Sequence, residues 1–442
     1  MFNKYYAVDT VSYSCIRQWI LRVGLGVLQQ PIQKRNDWIY IIDFSIQLGS
    51  ERCLLILGVT MEQLQNGTYL LNHETVCILD IYVQSSFNAE RVLERLDQTH
   101  EKTGVPCQIV SDRGADVKKG IELFCEQHND IVSSYDITHL IGIQIKHALS
   151  KHPQWKELQE TLLSITQQIK QTELSFLRPV SMGTKSRWLN ISLQTQWLEK
   201  IYQYESNADF SMINKGIIIK NPDEIYSTIK SVCKPGNRHR QLKSQLKKKV
   251  FENKSQARQW LESKGLKDIK DVRFSDAGAA RFYEKFSILM ELKPFFLQLQ
   301  QLCSMSEDVK SIIKNHGLSL DSMQEIEKQN FNLTYPLARS VFNKIVNGLI
   351  SQHEYCRTGS QPLLCCSDII ESIFGKFKKK AGQSVGGIYQ TVLIIALFGS
   401  NITKEKIETI LTKTKMNDVN KWFNSMMGKT NLAKRKNAFA FT

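Results

Sequence analysis

Trp38–Asp43 reads WIYIID, Arg52–Thr60 reads RCLLILGVT and Thr75–Gln84 reads TVCILDIYVQ. These are short apolar runs rich in β-branched and aromatic residues, which is the composition of buried strands. The connections between them are short, so they suit an antiparallel meander. The period then changes. Ala89–Thr103 places Val92, Leu93 and Leu96 on one side of a helix. CQIVSD at Cys107–Asp112 is a short buried strand, Asp116–His128 is helical through Ile121, Leu123 and Phe124, and IVSSYDI at Ile131–Ile137 is a fifth strand. A further helix follows from about His139. The order is three strands, helix, strand, helix, strand, and two of the strands end in an acid, Asp43 and Asp112.

That order is the order of the ribonuclease-H-like fold. The expectation is an α/β core, a mixed five-stranded sheet with helices, in which the first and fourth strands lie side by side at the sheet centre. Acids at the ends of those two strands then meet. Two ionised carboxylates at such a distance repel, and a divalent cation removes the repulsion. Mg²⁺ prefers hard oxygen ligands. A third carboxylate lets a site hold two ions about 3.5–4 Å apart, one activating the attacking oxygen and one stabilising the leaving oxygen of a phosphoryl transfer. Glu371, in SDIIESIFGKFKKK at Ser367–Lys380, is the choice for that third acid. Lys378 lies two helical turns on and shares its face, as a phosphate-binding cation would. Asp368, one turn earlier, and Asp136, at the end of the fifth strand, compete for the same role.

Taken together, IIDFS (Ile41–Ser45), IVSDRGADVKKGIELF (Ile109–Phe124), YDITHLIGIQIKHAL (Tyr135–Leu149) and SDIIESIFGKFKKK resemble a DDE transposase of bacterial insertion sequences, in the retroviral-integrase-like superfamily. The resemblance covers roughly 37–150 and 361–400, with a similar flavour in LRPVSMGTKSRWLNISLQTQW at Leu177–Trp197. It implies a catalytic and metal-binding triad of Asp43, Asp112 and Glu371, served by two Mg²⁺ ions with Mn²⁺ as a substitute. It further implies binding to mobile-element ends and target DNA, strand cleavage followed by strand transfer, and at least a dimer on paired ends. The implied location is the bacterial cytoplasm, at the nucleoid. Two other readings stay open: a ribonuclease-H-like nuclease that cuts without joining, and a non-enzymatic DNA-binding derivative.

The interval between Asp112 and Glu371 is long for such a core. It implies a large all-helical insertion, and 151–360 is dominated by Gln-, Lys-, Leu- and Glu-rich stretches with almost no strand signal. The expected layout is an N-terminal segment and linker at 1–36, the first part of the core at 37–150, the insertion at 151–360, the second part at 361–400, and a basic tail at 401–442. In the first segment, Val11–Val23 places Ile16, Trp19, Ile20 and Val23 at helical spacing, between a Thr10 cap and a Gly24 stop. It resembles a recognition helix of a helix-turn-helix, or equally an amphipathic docking helix. Tyr389–Phe398 reads as an apolar helix.

The 442 residues carry 58 Lys+Arg against 43 Asp+Glu, a net charge of +15. Such an excess favours a polyanionic partner, nucleic acid first. Hydrophobic residues at 42% and charged residues at 23% exclude global disorder. The longest apolar run, VLIIALF at Val392–Phe398, is far shorter than the roughly 20 residues a spanning helix needs, and no membrane partner is expected. The ten cysteines contain no CxxC pair and read as small buried hydrophobes. The most basic run is Lys234–Arg258, where Lys247, Lys248 and Lys249 are candidate phosphate contacts and Glu252 is the sole acid. Arg113 and Lys118 could also hold phosphates, or simply be exposed loop cations. Asp136 and His139 could serve a ligand, or be a helix N-cap and its N3 residue. Arg187 and Trp188, with Trp197, could contact an extruded base, although tryptophans at helical spacing are more often core.

Overall fold

The computed structural model describes residues 11–48, 51–84, 86–128, 130–180, 188, 191–207, 209–232, 237–266, 272–329, 332–355, 361–381, 391–399, 402–427 and 431–440. The chain forms two compact units. One comprises 1–141, 307–332 and 343–442, and the other comprises 142–306 and 333–342.

The first unit is built on strands β1 (Trp38–Leu48), β2 (Glu51–Thr60), β3 (Cys77–Gln84), β4 (Gln108–Ser111) and β5 (Val132–Tyr135). They form one sheet in the order β3-β2-β1-β4-β5. The meander β1-β2-β3 is antiparallel, and β4 and β5 add in parallel to β1. Parallel neighbours need crossovers, and the helices Ala89–Thr103 and Ala115–Gln127 supply them. This is the ribonuclease-H-like core, with β1 and β4 adjacent at the sheet centre.

Strand alternation divides the core into two faces. Trp38, Tyr40, Ile42, Leu54 and Ile56 pack against Val92, Leu96, Val117, Ile121 and Phe124 of the crossover helices. Those helices approach closely at Gly120, where a Cβ would lie 2.5 Å from the Cβ of Val92. Arg95 reaches from the first helix to Asp80 on β3, its Nε donating over 2.7 Å to the carboxylate, both side chains being buried. On the other face, Ile39, Ile41, Leu55 and Leu57 meet Ile369, Ile370, Ile373, Phe374 and Phe377 of the helix Asp368–Ala381.

Three segments outside the sheet differ from expectation. The N-terminal helix runs Tyr13–Leu28, capped by Ser12 rather than Thr10, and passes through Gly24. A Cβ at Gly24 would stand 2.3 Å from the Leu393 carbonyl oxygen, so the glycine permits close packing instead of ending the helix. Its buried residues are Leu21, Val23, Leu25 and Leu28, whereas Ile16 and Trp19 are exposed. Val392–Leu397 is a 3-10 helix, not an α-helix. Beyond it, the helices Lys404–Lys413 and Met416–Met427 place Ile410, Val419 and Trp422 in the buried interior. The spacing Met416, Val419, Trp422, Phe423, Met426 is an amphipathic stripe that a reading focused on the tail's charge overlooks.

Among the described residues, the second unit is mainly helical, with two three-residue strands, β6 (Ile217–Ile219) and β7 (Phe274–Asp276), paired antiparallel. They close a small cluster of Ile219, Ile225, Ile229, Leu246, Phe251, Ala257 and Leu261. Trp188 and Trp197 are buried, with Trp155 stacked obliquely 5.5 Å from Trp188, so both are core residues.

Candidate active site

The site follows from register. Ile42 on β1 pairs with Ser111 on β4, and Ser111 pairs with Tyr135 on β5. The next residue on each strand is an acid, so Asp43, Asp112 and Asp136 form a row across three neighbouring strand ends. Alternation turns Asp43 to the same face as Ile39 and Ile41, the face covered by the helix carrying Glu371.

The acids of this row act on one another. Burial first, then the Asp112 carboxylate, push the Asp43 carboxyl well above the usual carboxylate range, with smaller upward pushes from Glu371 and Asp136. The backbone N–H of Phe44 opposes them only in part. Glu371 is raised by burial and by Asp368, and His139 works in the opposite direction. Its side chain is 64% exposed, so solvent screens these effects.

Asp112 sits in a tight exit from β4. Its Oδ1 accepts the Gly114 N–H at 2.8 Å, an Asx-type turn. Gly114 has an ordinary φ of −51°. Arg113 takes the left-handed conformation, at φ 54°, uncommon for a residue with a side chain. The turn aims its guanidinium over the Tyr135 ring, 5.2 Å from the centroid. Arg113 and Lys118 both line a cleft of about 700 Å³ that also touches Ser111 and Gln352. Lys118 is exposed and lies 3.7 Å from Glu122.

The competitors for the third acid are already occupied. Asp136 is fully buried, and its Oδ1 accepts the His139 N–H at 2.9 Å, the N3 bond of an N-cap. Its Oδ2 accepts from both the N–H and the hydroxyl of Ser367, at 2.6 and 2.8 Å. Asp368 forms a short ion pair with Lys314 and accepts from the Thr138 hydroxyl at 3.3 Å. Burial opposes the Lys314 charge, but the Asp368 carboxylate outweighs it and leaves the lysine pKa raised. Among the described residues, Glu371 pairs with His139, whose Nε2 is 3.9 Å from its Oε1. Asp136, Cys366 and Asp368 do bring their ligand atoms within 4.8 Å of one another, a group able to hold a cation. Burial, then Asp368 and Asp136, push the Cys366 thiol up to about 12. Among the described residues, Asp43, Asp112 and Glu371 do not all fall within that 4.8 Å spacing.

The Glu371 helix is held to the sheet by polar contacts absent from the sequence reading. Gln108 Nε2 donates to the Leu364 carbonyl at 2.6 Å, and Ser134 donates to the same oxygen at 2.8 Å. Gln352 Nε2 donates to Cys365 Sγ at 2.9 Å, and the Ile137 N–H to the Cys365 carbonyl at 2.8 Å. No signal marks Gln108 or Lys314 in the sequence, because their partners lie hundreds or tens of residues away.

The candidate DNA contacts separate into several situations. Lys378 is exposed on the Glu371 face of its helix. Lys247 pairs with Asp223 at 2.9 Å, Lys248 is exposed, and Lys249 lies over the Trp260 ring at 5.0 Å. Arg187 lies outside the described residues.

No protein-family profile matches the chain, and no curated protein matches its sequence. Among solved structures, it is similar to a Drosophila P element transposase strand transfer complex, at 11% identity and a TM-score of 0.36. The match covers 92% of this chain and 88% of that one. Likeness at that level carries no weight here, and the fold assignment rests on sheet order and register. No described helix is long and apolar enough to cross a membrane.

Proposed function

We propose that the chain is a DDE transposase that cleaves the ends of a mobile DNA element and joins them to target DNA, using Asp43, Asp112 and Glu371. The observation that carries this reading is the division of labour among five acids. Asp136 and Asp368 are committed to internal partners, while Asp43 and Asp112 share an uncompensated negative field that Glu371 also faces. An all-carboxylate set of this kind suits Mg²⁺, or Mn²⁺ in its place.

Bound there, the ions would supply an activated oxygen nucleophile and neutralise charge at phosphorus. The chain's own part is positioning. Asp43 and Asp112 are fixed by strand register, and Glu371 by a helix tied to the sheet through Asp136 and Gln108. Lys378, Arg113 and Lys118 would hold backbone phosphates, and Lys247, Lys248 and Lys249 would add sequence-independent affinity in the second unit. Paired ends call for at least a dimer on DNA.

The experiment uses labelled end-bearing DNA with Mg²⁺, once intact and once pre-cut. Cleavage and joining are expected, and Glu371→Gln should abolish both while leaving the circular dichroism spectrum unchanged. Cleavage without joining of pre-cut ends would make the chain a nuclease. Full activity in Glu371→Gln would remove Glu371 from the triad.

A further inference from the structure

We infer that the protein holds a zinc ion at a second site, formed by Asp97, His100 and His128, at the opposite end of the sheet from the acid row. Asp97 and His100 stand one turn apart near the end of the helix Ala89–Thr103. His128 caps the end of Ala115–Gln127. One ligand atom from each lies within 4.8 Å of the others. The second helix starts beside Asp112 and runs 13 residues to His128, so the two sites are about 20 Å apart.

Three further features favour a ligand. All three side chains are half-buried rather than splayed into solvent. The Nδ1 of His100 is buried and has no hydrogen-bond partner among the described residues. Buried polar atoms are seldom left so, and a bound cation either takes that nitrogen directly or fixes the ring's tautomer around it. The imidazoles are also pre-placed. Their centroids are 4.9 Å apart, and Phe124 packs at 4.7 Å from His128 and 5.8 Å from His100. That aromatic wall restricts rotation and excludes water from one side.

The donor chemistry selects the metal. Two imidazoles and one carboxylate are too nitrogen-rich for Mg²⁺ or Ca²⁺ and suit zinc, with water as a fourth ligand. The two ligand-bearing helices are the crossovers that place β4 and β5. A zinc bridge between their C-terminal ends clamps them at the point farthest from the catalytic acids. The role is structural and independent of the chemistry proposed above.

The test uses the full chain carrying Asp43→Asn, Asp112→Asn and Cys366→Ala, so that neither the acid row nor the Asp136–Cys366–Asp368 group offers a full ligand set for the ion. Stripped of metal and titrated calorimetrically, it should bind one equivalent of Zn²⁺ that excess Mg²⁺ does not displace. Co²⁺ in place of zinc should give intense visible absorption from nitrogen ligands in a low-coordinate site. His100→Ala and His128→Ala should each weaken binding more than about 100-fold. Zinc at 100 times its dissociation constant should raise the Tm by about 5 °C. Should the histidine variants not fold, the stoichiometry, cobalt spectrum and Tm shift of the parent decide alone. Absence of stoichiometric uptake at micromolar zinc, or unchanged uptake in the double histidine variant, overturns the site.

Discussion

Asp43→Asn should make the metal-free protein more stable while destroying its activity. Adjacent strands lie about 4.8 Å apart, and Asp43 and Asp112 occupy the same level on neighbouring strands. Two unit charges about 5 Å apart in an effective dielectric of about 20 repel by about 3 kcal/mol. That figure is an upper bound, because the folded protein relieves part of it by keeping a proton on Asp43. The sign follows from linkage. The folded-state pKa of Asp43 is raised by burial and by Asp112, so the folded chain holds a proton that the unfolded chain releases. The resulting stability is fully present below the ordinary aspartate range and is lost as pH rises through the raised value. An asparagine cannot ionise and escapes that loss. The variant should therefore match the parent near pH 4 and exceed it at pH 8, by up to about 6 °C in Tm. Mg²⁺ should narrow the gap by stabilising the parent and not the variant. Differential scanning calorimetry across pH, with and without Mg²⁺, measures both effects. A gap that fails to grow with pH, or equal Mg²⁺ stabilisation of parent and variant, refutes the account of Asp43 as an unneutralised metal ligand.

Four other outcomes are expected. Glu371→Gln should lose cleavage and strand transfer with an unchanged Tm, since its side chain is mostly exposed. Arg95→Met should cost about 3–5 kcal/mol in urea denaturation, because it leaves Asp80 buried without its partner. Gly120→Ala should cost about 1–3 kcal/mol by the same measurement, as its methyl would overlap Val92 and the Ala89 carbonyl. Gln108→Leu should cost about 1–3 kcal/mol and lower cleavage further than that loss alone explains, since it frees the segment leading to Glu371.

The core was legible where period and punctuation agree. WIYIID, CQIVSD and IVSSYDI announced strands ending in acids, and the order of helices between them determined which strands become neighbours. Antiparallel strands joined by short loops and parallel strands joined by helices leave few topologies. The second unit shows where legibility stops. Ile217–Ile219 and Phe274–Asp276 are three residues each, too short to register a period, and their pairing spans more than fifty residues of chain. The C-terminal helices were obscured for another reason. Their lysines suggest a solvated tail, yet Val419 and Trp422 sit in the main core cluster. The candidate site divides in the same way. Asp43, Asp112 and Glu371 could be named because each follows or lies within a recognisable element. Lys314 and Gln108 could not, because what they do depends on residues brought near only by folding.

Lys314 bears on why one acid of the helix Asp368–Ala381 and not another is available for chemistry. Asp368 and Glu371 are three residues apart and share a face, so sequence spacing alone gives both access to the strand ends. The fold separates them by charge compensation. A lysine with a side chain only 15% exposed is bound to Asp368, so that carboxylate already has its cation. The same lysine lowers the pressure on Glu371, as His139 does. Asp136 is removed from the contest by three hydrogen bonds. What remains is a negative field centred on Asp43 and Asp112 and open toward Glu371, in a protein that is otherwise strongly basic. Sequence charge and site charge therefore oppose each other: in a chain of net charge +15, the Asp43 carboxyl is raised by burial and by neighbouring carboxylates, with no lysine or arginine acting against them.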